Sequence, residues 1–318
     1  MQITGKVAQQ MIGVLDDLRE EIKNESKIQY PYAEWERQRE KVKKRLEKLH
    51  EYIEQAAAFV KVSRTRGPEK ELDLVKRTTL FLFARLMNKS NRDMEDILIL
   101  LQLLFGSPVS YKTIERLYSD EEVKLVLHNL FQLLLKDENV SGDMTGDGTG
   151  YSVTVTRHYR SNPHKRGRDY RYVFRLMDLL TGMYVGVGYS PISEMRAFHK
   201  AIEMAKSFGV RIDTLRLDKY YSSKKVLKLF GEDVSVFVIP KKNISNIGLE
   251  WSRVIRNIMA APFVYLKSYF KRNLSESGFS SDKRRFGGLI RQKREDRQSM
   301  AMLAIGLLHN LFFIRVQK

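Results

Sequence analysis

The stretch Tyr269-Phe-Lys-Arg272-Asn-Leu-Ser-Glu276-Ser-Gly-Phe-Ser-Ser-Asp-Lys283 carries a tyrosine, an arginine, a glutamate and a lysine at offsets of three, seven and fourteen residues. With ~3.6 residues per helical turn, the spacing predicts that Tyr269, Arg272 and Glu276 stack on one helix face, and Lys283 extends the stripe. Gly278 is expected to interrupt this helix, so that Lys283 comes from the following turn. A carboxylate between two cations and an aromatic hydroxyl suits a site where the acid holds a metal and its neighbours hold phosphates. The plainer reading is a surface helix with an i, i+4 pair between Arg272 and Glu276.

Tyr-x2-Arg-x3-Glu-x6-Lys resembles the signature of the DDE transposases of bacterial and archaeal insertion sequences, and all four letters match at that spacing. The resemblance implies that Glu276 is the third member of an Asp, Asp, Glu metal-binding triad on a ribonuclease H-like fold. It requires two aspartates upstream, each at a strand end. Asp147-Gly-Thr-Gly-Tyr-Ser resembles the family's first motif and Asp218-Lys-Tyr-Tyr-Ser its second. Asp143 repeats the Asp-x-Thr-Gly pattern and stays open as the first acid; the Gly-Tyr-Ser continuation favours Asp147. The resemblance runs from about Val140 to Val316, and its three motifs are specific together although each is weak alone. It departs from the family in one respect: Tyr220 to Ser268 leaves little room for the large β-rich insertion often found there, which leaves the cleavage route open.

By this resemblance Asp147, Asp218 and Glu276 would hold two Mg²⁺ ions, with Mn²⁺ as a substitute, and Tyr269, Arg272 and Lys283 would position the DNA backbone. Magnesium's preference for oxygen ligands suits three carboxylates, and their separations of 71 and 58 residues do not obstruct convergence. The implied activity cleaves element ends and joins their 3′-hydroxyls to target DNA. The alternatives are a non-catalytic DNA-binding regulator or decayed transposase, and a ribonuclease H-like nuclease or resolvase.

Bulk properties agree with a nucleic-acid partner. The 318 residues carry a formal charge of +18, and neutralising phosphates releases counterions. An anionic membrane surface would fit the charge equally well. There are no cysteines, which excludes disulfides and thiol chemistry. No secretory signal pattern is visible, so a cytoplasmic location is expected. The apolar run from Met300 to Phe313, broken by His309 and Asn310, is too short for a membrane span and reads as a buried core helix. Six scattered histidines without paired helical spacing argue against zinc.

Three regions are expected. Residues 1–66 carry two coiled-coil-like stripes, Val7 to Ile22 and Val42 to Val60 within Ala33 to Val62, which would zip together or pair between chains in a homodimer on DNA. Residues 67–138 form short helices resembling a helix-turn-helix, with Ser110, Tyr111, Lys112, Arg116 and Tyr118 on or near the recognition helix. Lys112 and Arg116 are the candidate DNA contacts there. Residues 139–318 read as α/β: strands at Val153 to Tyr159, Tyr170 to Met177, Met183 to Tyr189, Ile212 to Leu217 and Val234 to Ile239, with helices from Glu194 and Ser222. Asp178 is expected to cap a hairpin, and Asp282, Glu295 and Asp296 to temper a basic surface. Trp251 is read first as a core residue, with a base-stacking wedge as the alternative.

Overall fold

The computed structural model describes residues 5–24, 32–61, 70, 72–100, 109–153, 170–242, 244 and 247–315. It is a mixed α/β fold with a helical N-terminal region. Strands β1 (Asp143–Val153), β2 (Tyr170–Asp178), β3 (Tyr184–Ser190), β4 (Thr214–Leu217) and β5 (Ser235–Phe237) lie in the order β3-β2-β1-β4-β5, and β6 (Leu289–Ile290) pairs with β1. β2 is antiparallel to both neighbours. β4 runs parallel to β1 and β5, and β6 parallel to β1.

β1 begins ten residues before the expected strand, at Asp143 rather than Val153, and residues 154–159 lie outside the described part. Its glycines explain the shift. Gly146, Gly148 and Gly150 alternate with side chains at the strand period of two, so all three face one side of the sheet. There Phe174 lies against Gly146, Glu194 against Gly148 and Tyr170 against Gly150. A stretch that looks like a loop by composition is a strand with one face kept bare for its neighbours.

Helix α8 (Glu194–Ser207) packs on β2 and β3, where Gly186 and Gly188 admit the backbone of Ala201 and Ala197. Its start is fixed by Ser193, whose side chain accepts from the Arg196 amide. The last helix, α13 (Glu295–Phe312), is buried along nearly its whole length, as its apolar run predicts. It lies between β3 and the N-terminal helices α2 (Tyr32–Glu47), α4 (Leu74–Met87) and α7 (Glu121–Lys136). One hydrophobic cluster therefore runs from α3 (Leu49–Ala58) and α4 through the sheet to Leu311.

A second cluster gathers Leu227 and Val238 with α10 (Leu249–Ala260) and α11 (Pro262–Phe270). Trp251 is 3% exposed there, so the wedge alternative is overturned. Met11 and Leu15 of α1 (Gly5–Asn24) complete this cluster. The first apolar stripe thus docks on α11 instead of zipping against the second. The second stripe is not one helix either: it breaks at Lys48 into α2 and α3, and α3 packs on α4 and α7. A stripe of period near 3.5 specifies an apolar partner without saying which one.

In the region read as helix-turn-helix, α5 (Asn91–Leu100) and α6 (Tyr111–Leu117) pack together, and residues 101–108 between them are outside the described part. Ser110 caps α6, and Lys112 and Arg116 are exposed on it. Tyr118 does not join them: it is buried edge-on against Phe81. Among the described residues no helix is long and apolar enough to cross a membrane.

Candidate active site

The parallel ladder between β1 and β4 pairs Asp143 with Thr214 and ends on Gly146 with Leu217. The next residues in register are Asp147 and Asp218. Adjacent parallel strands lie about 4.8 Å apart, so this register brings Asp147 and Asp218, distant in sequence, to neighbouring main-chain positions at the end of β4. Asp218 caps a short 3-10 turn, Lys219–Tyr221, by accepting from the Tyr220 amide. Beyond it, among the described residues, the edge of β1 lacks a strand partner until β6 pairs at Ser152.

Helix α12 (Asn273–Phe286) fills that gap. Lys283 Nζ donates to Thr149 Oγ1 at 2.7 Å and to the Gly150 carbonyl at 3.0 Å, over the Tyr151 ring. One residue earlier, Asp282 points the opposite way. It is fully buried, paired with Arg175 and hydrogen-bonded by Tyr184 at 2.8 Å and by His309 Nδ1 at 2.7 Å. The expectation that Asp282 tempers a basic surface is therefore overturned; its neighbours in sequence are basic, but its neighbours in space are the sheet and α13. Burial raises the Asp282 carboxyl, and His309 and Arg175 more than offset this and hold it low. Gly278 does not interrupt the helix. It lies in the middle of α12, where a side chain would strike Met177 and the Tyr184 hydroxyl, so the glycine lets α12 sit close to the sheet.

The chain turns at Lys271 and Arg272, between α11 and α12, so the motif spans two helices. Tyr269 belongs to the buried second cluster. The Arg272 guanidinium lies over the Tyr269 ring at 5.5 Å, donates to Glu276 Oε1 at 2.8 Å and faces Asp218 Oδ1 at 3.5 Å. Glu276 is 51% exposed and Asp218 37%, whereas Arg272 is 17%. Asp147 is the most affected acid: burial pushes its carboxyl up to about 6, and the negative charges of Asp218 and Glu276 add to the rise while the Gly148 amide and Arg272 oppose it. Asp147 thus feels the charges of Asp218, Glu276 and Arg272. Among the described residues no three Asp, Glu or His side chains stand close enough to chelate one ion as they are placed.

Asp143 sits four residues earlier on β1 and is committed elsewhere. It accepts from Thr214 and pairs with Arg216, which also donates to the Ser268 carbonyl at 2.7 Å and to its hydroxyl at 2.8 Å. Asp178 caps the hairpin turn by accepting from Ser141 and Thr181. Lys112 pairs with Glu115, which in turn accepts from Arg297 at the start of α13.

Glu194 was not singled out in the sequence. Its carboxylate lies over Gly148, one residue from Asp147 in β1, and accepts from the Tyr221 hydroxyl at 2.6 Å. Burial, Glu194 and Asp147 all raise the Tyr221 hydroxyl. The only local signal is the bare glycine face of β1, which demands a cover without naming it.

Asp218 and Glu276 share one arginine, and Asp147 lies near enough to feel all three charges; at the end of a parallel strand pair in a mixed sheet, they define the class: an α/β protein with an acidic site beside a basic helix. Over 315 residues, 99% of this chain and 98% of the relative, the sequence is 60% identical to the probable transposase for insertion sequence element ISA1214 of Archaeoglobus fulgidus. The chain belongs to the insertion-sequence transposases. No protein-family model matches it, and no solved structure matches it significantly.

Proposed function

We propose that the chain is a DDE transposase whose residues 139–318 form a ribonuclease H-like catalytic region holding two magnesium ions on Asp147, Asp218 and Glu276. The observation that carries this reading is the β1–β4 register, which sets Asp147 beside Asp218, with Arg272 linking Asp218 to Glu276. The strand order β3-β2-β1-β4-β5 with β2 alone reversed supports the fold assignment. The donor set fits the metal: three carboxylates offer hard oxygen ligands, and Asp147, raised to about 6 by burial and by its neighbours, lacks positive charge that a dication would supply. Magnesium bound there would neutralise charge developing on the scissile phosphate.

The chain's own residues do the positioning. Arg272 can offer its fork to a phosphate, and Lys283, anchored on β1, fixes α12 so that Glu276 is held at a set height above the strand. In the first step water attacks the phosphorus at the element end, the bond to the element's 3′-oxygen breaks, and that oxygen takes a proton to become a free hydroxyl. In the second, this hydroxyl attacks a target phosphorus and displaces a target 3′-oxygen. Residues 1–66 and 67–138 would find the element ends, with Lys112 and Arg116 exposed for contact, and a homodimer would hold two ends.

The test supplies a pre-cleaved element end with a free 3′-hydroxyl, target plasmid and Mg²⁺. Covalent joining by the wild type that Glu276→Gln abolishes, with folding and DNA binding retained, is the expected result. Cleavage without joining would indicate a nuclease, and specific binding with neither reaction a regulator or decayed enzyme.

A further inference from the structure

We infer that Arg272 is a built-in competitor for the cation, so that metal and DNA reach the site as linked events. This rests on the proposed metal-binding role of Asp218 and Glu276. The oxygens that Arg272 engages, Glu276 Oε1 at 2.8 Å and Asp218 Oδ1 at 3.5 Å, are ones an inner-sphere cation would use. A carboxylate oxygen turned to a guanidinium is turned away from a metal, and two positive charges cannot crowd the same pair of acids cheaply.

The side chain is built to exchange partners. Its guanidinium lies over Tyr269, which is itself fixed in the second hydrophobic cluster, so a fork that left the acids for a phosphate would keep the ring as its platform. Its Nε is buried and has no acceptor among the described residues. Leaving a buried charged donor unmatched is costly, and the unmet Nε points to an anionic ligand. Cation binding would release both Nη groups from the acids, and together with Nε they would form the flat donor array that suits phosphate. The acids would pass from arginine to metal as the arginine passes to DNA. By linkage, each ligand must then tighten the other by the same factor.

The experiment measures Mn²⁺ binding to the full chain by electron paramagnetic resonance at constant ionic strength, with and without an element-end duplex. Wild type, Arg272→Gln, Arg272→Lys and Glu276→Gln are compared, with circular dichroism as the folding control. Without DNA, Arg272→Gln should bind Mn²⁺ about five- to tenfold more tightly than wild type, within the usual range of coupling. The duplex should tighten Mn²⁺ binding to wild type and leave Arg272→Gln nearly unchanged. Arg272→Lys keeps the charge and loses the fork; it should retain the competition and lose the coupling, which provides a second reading if the glutamine variant does not fold. Equal or weaker Mn²⁺ binding by folded Arg272→Gln, with binding still lost in Glu276→Gln, would overturn the competitor role alone. Absence of Mn²⁺ binding by wild type and both arginine variants, with or without duplex, would overturn the metal reading as well.

Discussion

Asp147 and Asp218 stand one step beyond Gly146 and Leu217, the last pair of a parallel ladder, so the nearness of two acids 71 residues apart is a matter of strand register. Register also fixes which way each points, because a slip of one residue turns a side chain to the other face. The site is thus written into hydrogen bonds of the main chain, and its acids are held where they repel one another.

That repulsion should be measurable as stability. Burial first and the neighbouring carboxylates second push the Asp147 carboxyl up to about 6 in the folded chain, against about 3.9 when unfolded. Between these values the folded state binds more protons than the unfolded one, so stability falls as pH rises from about 4 to about 6. Asp147→Asn should remove this loss, stabilising the chain by up to about 3 kcal/mol at pH 7 and by almost nothing below pH 4. Urea titrations across that range, without divalent cations, provide the check; equal stabilisation at pH 4 and pH 7 would refute it.

Asp282 should behave in the opposite sense. It is buried against Arg175, Tyr184 and His309, and its removal leaves those donors unmatched. Asp282→Ala is expected to cost about 3–5 kcal/mol, whereas Glu276→Ala, at a half-exposed position on the same helix, should cost less than about 1 kcal/mol. Thermal melts of the two variants separate these roles.

Gly148 provides a packing test. A methyl group there would fall inside the Glu194 carboxyl, which Tyr221 holds in place. Gly148→Ala should destabilise by about 1–3 kcal/mol, and adding Glu194→Ala should recover part of that loss, a non-additive pair in a double-mutant cycle. Strict additivity would show that the two residues do not meet.

DNA binding should be steeply salt-dependent because a charge of +18 must find phosphates. Lys112→Ala and Arg116→Ala should each lower the slope of the logarithmic salt plot by about one if α6 contacts the backbone. Fluorescence anisotropy with a labelled duplex across a salt series measures this, and an unchanged slope in both variants would take α6 out of the interface.

The sheet was largely legible in the sequence. Runs such as Tyr170 to Met177 and Met183 to Tyr189 alternate or stay apolar, and each became a strand within a residue or so. Asp218 was readable because a strand-length apolar run stops there. What local patterns hid was pairing at a distance. Asp282 looks like a surface charge because Lys283, Arg284 and Arg285 follow it, while its partners Arg175 and His309 lie on other elements. The docking of Met11 and Leu15 against α11 was hidden for the same reason: an apolar stripe records a need for cover, and only the closed fold says what meets it. Strand β1 was misplaced at its start because glycine is read as a breaker, although its spacing at 146, 148 and 150 had the strand period.

Helix α13 has a consequence for how the molecule comes into being. It stands between the sheet and the N-terminal helices, and it is made after both. During synthesis the sheet and helices α2, α4 and α7 must wait with their facing apolar surfaces uncovered until Glu295–Phe312 has emerged. A chain stopped before residue 295 would retain Asp147, Asp218 and Glu276 in its sequence yet leave the apolar faces of β3 and the N-terminal helices uncovered, and exposed apolar surface of that kind favours aggregation. Premature termination should therefore yield an insoluble product, leaving no soluble fragment to compete for the element's ends.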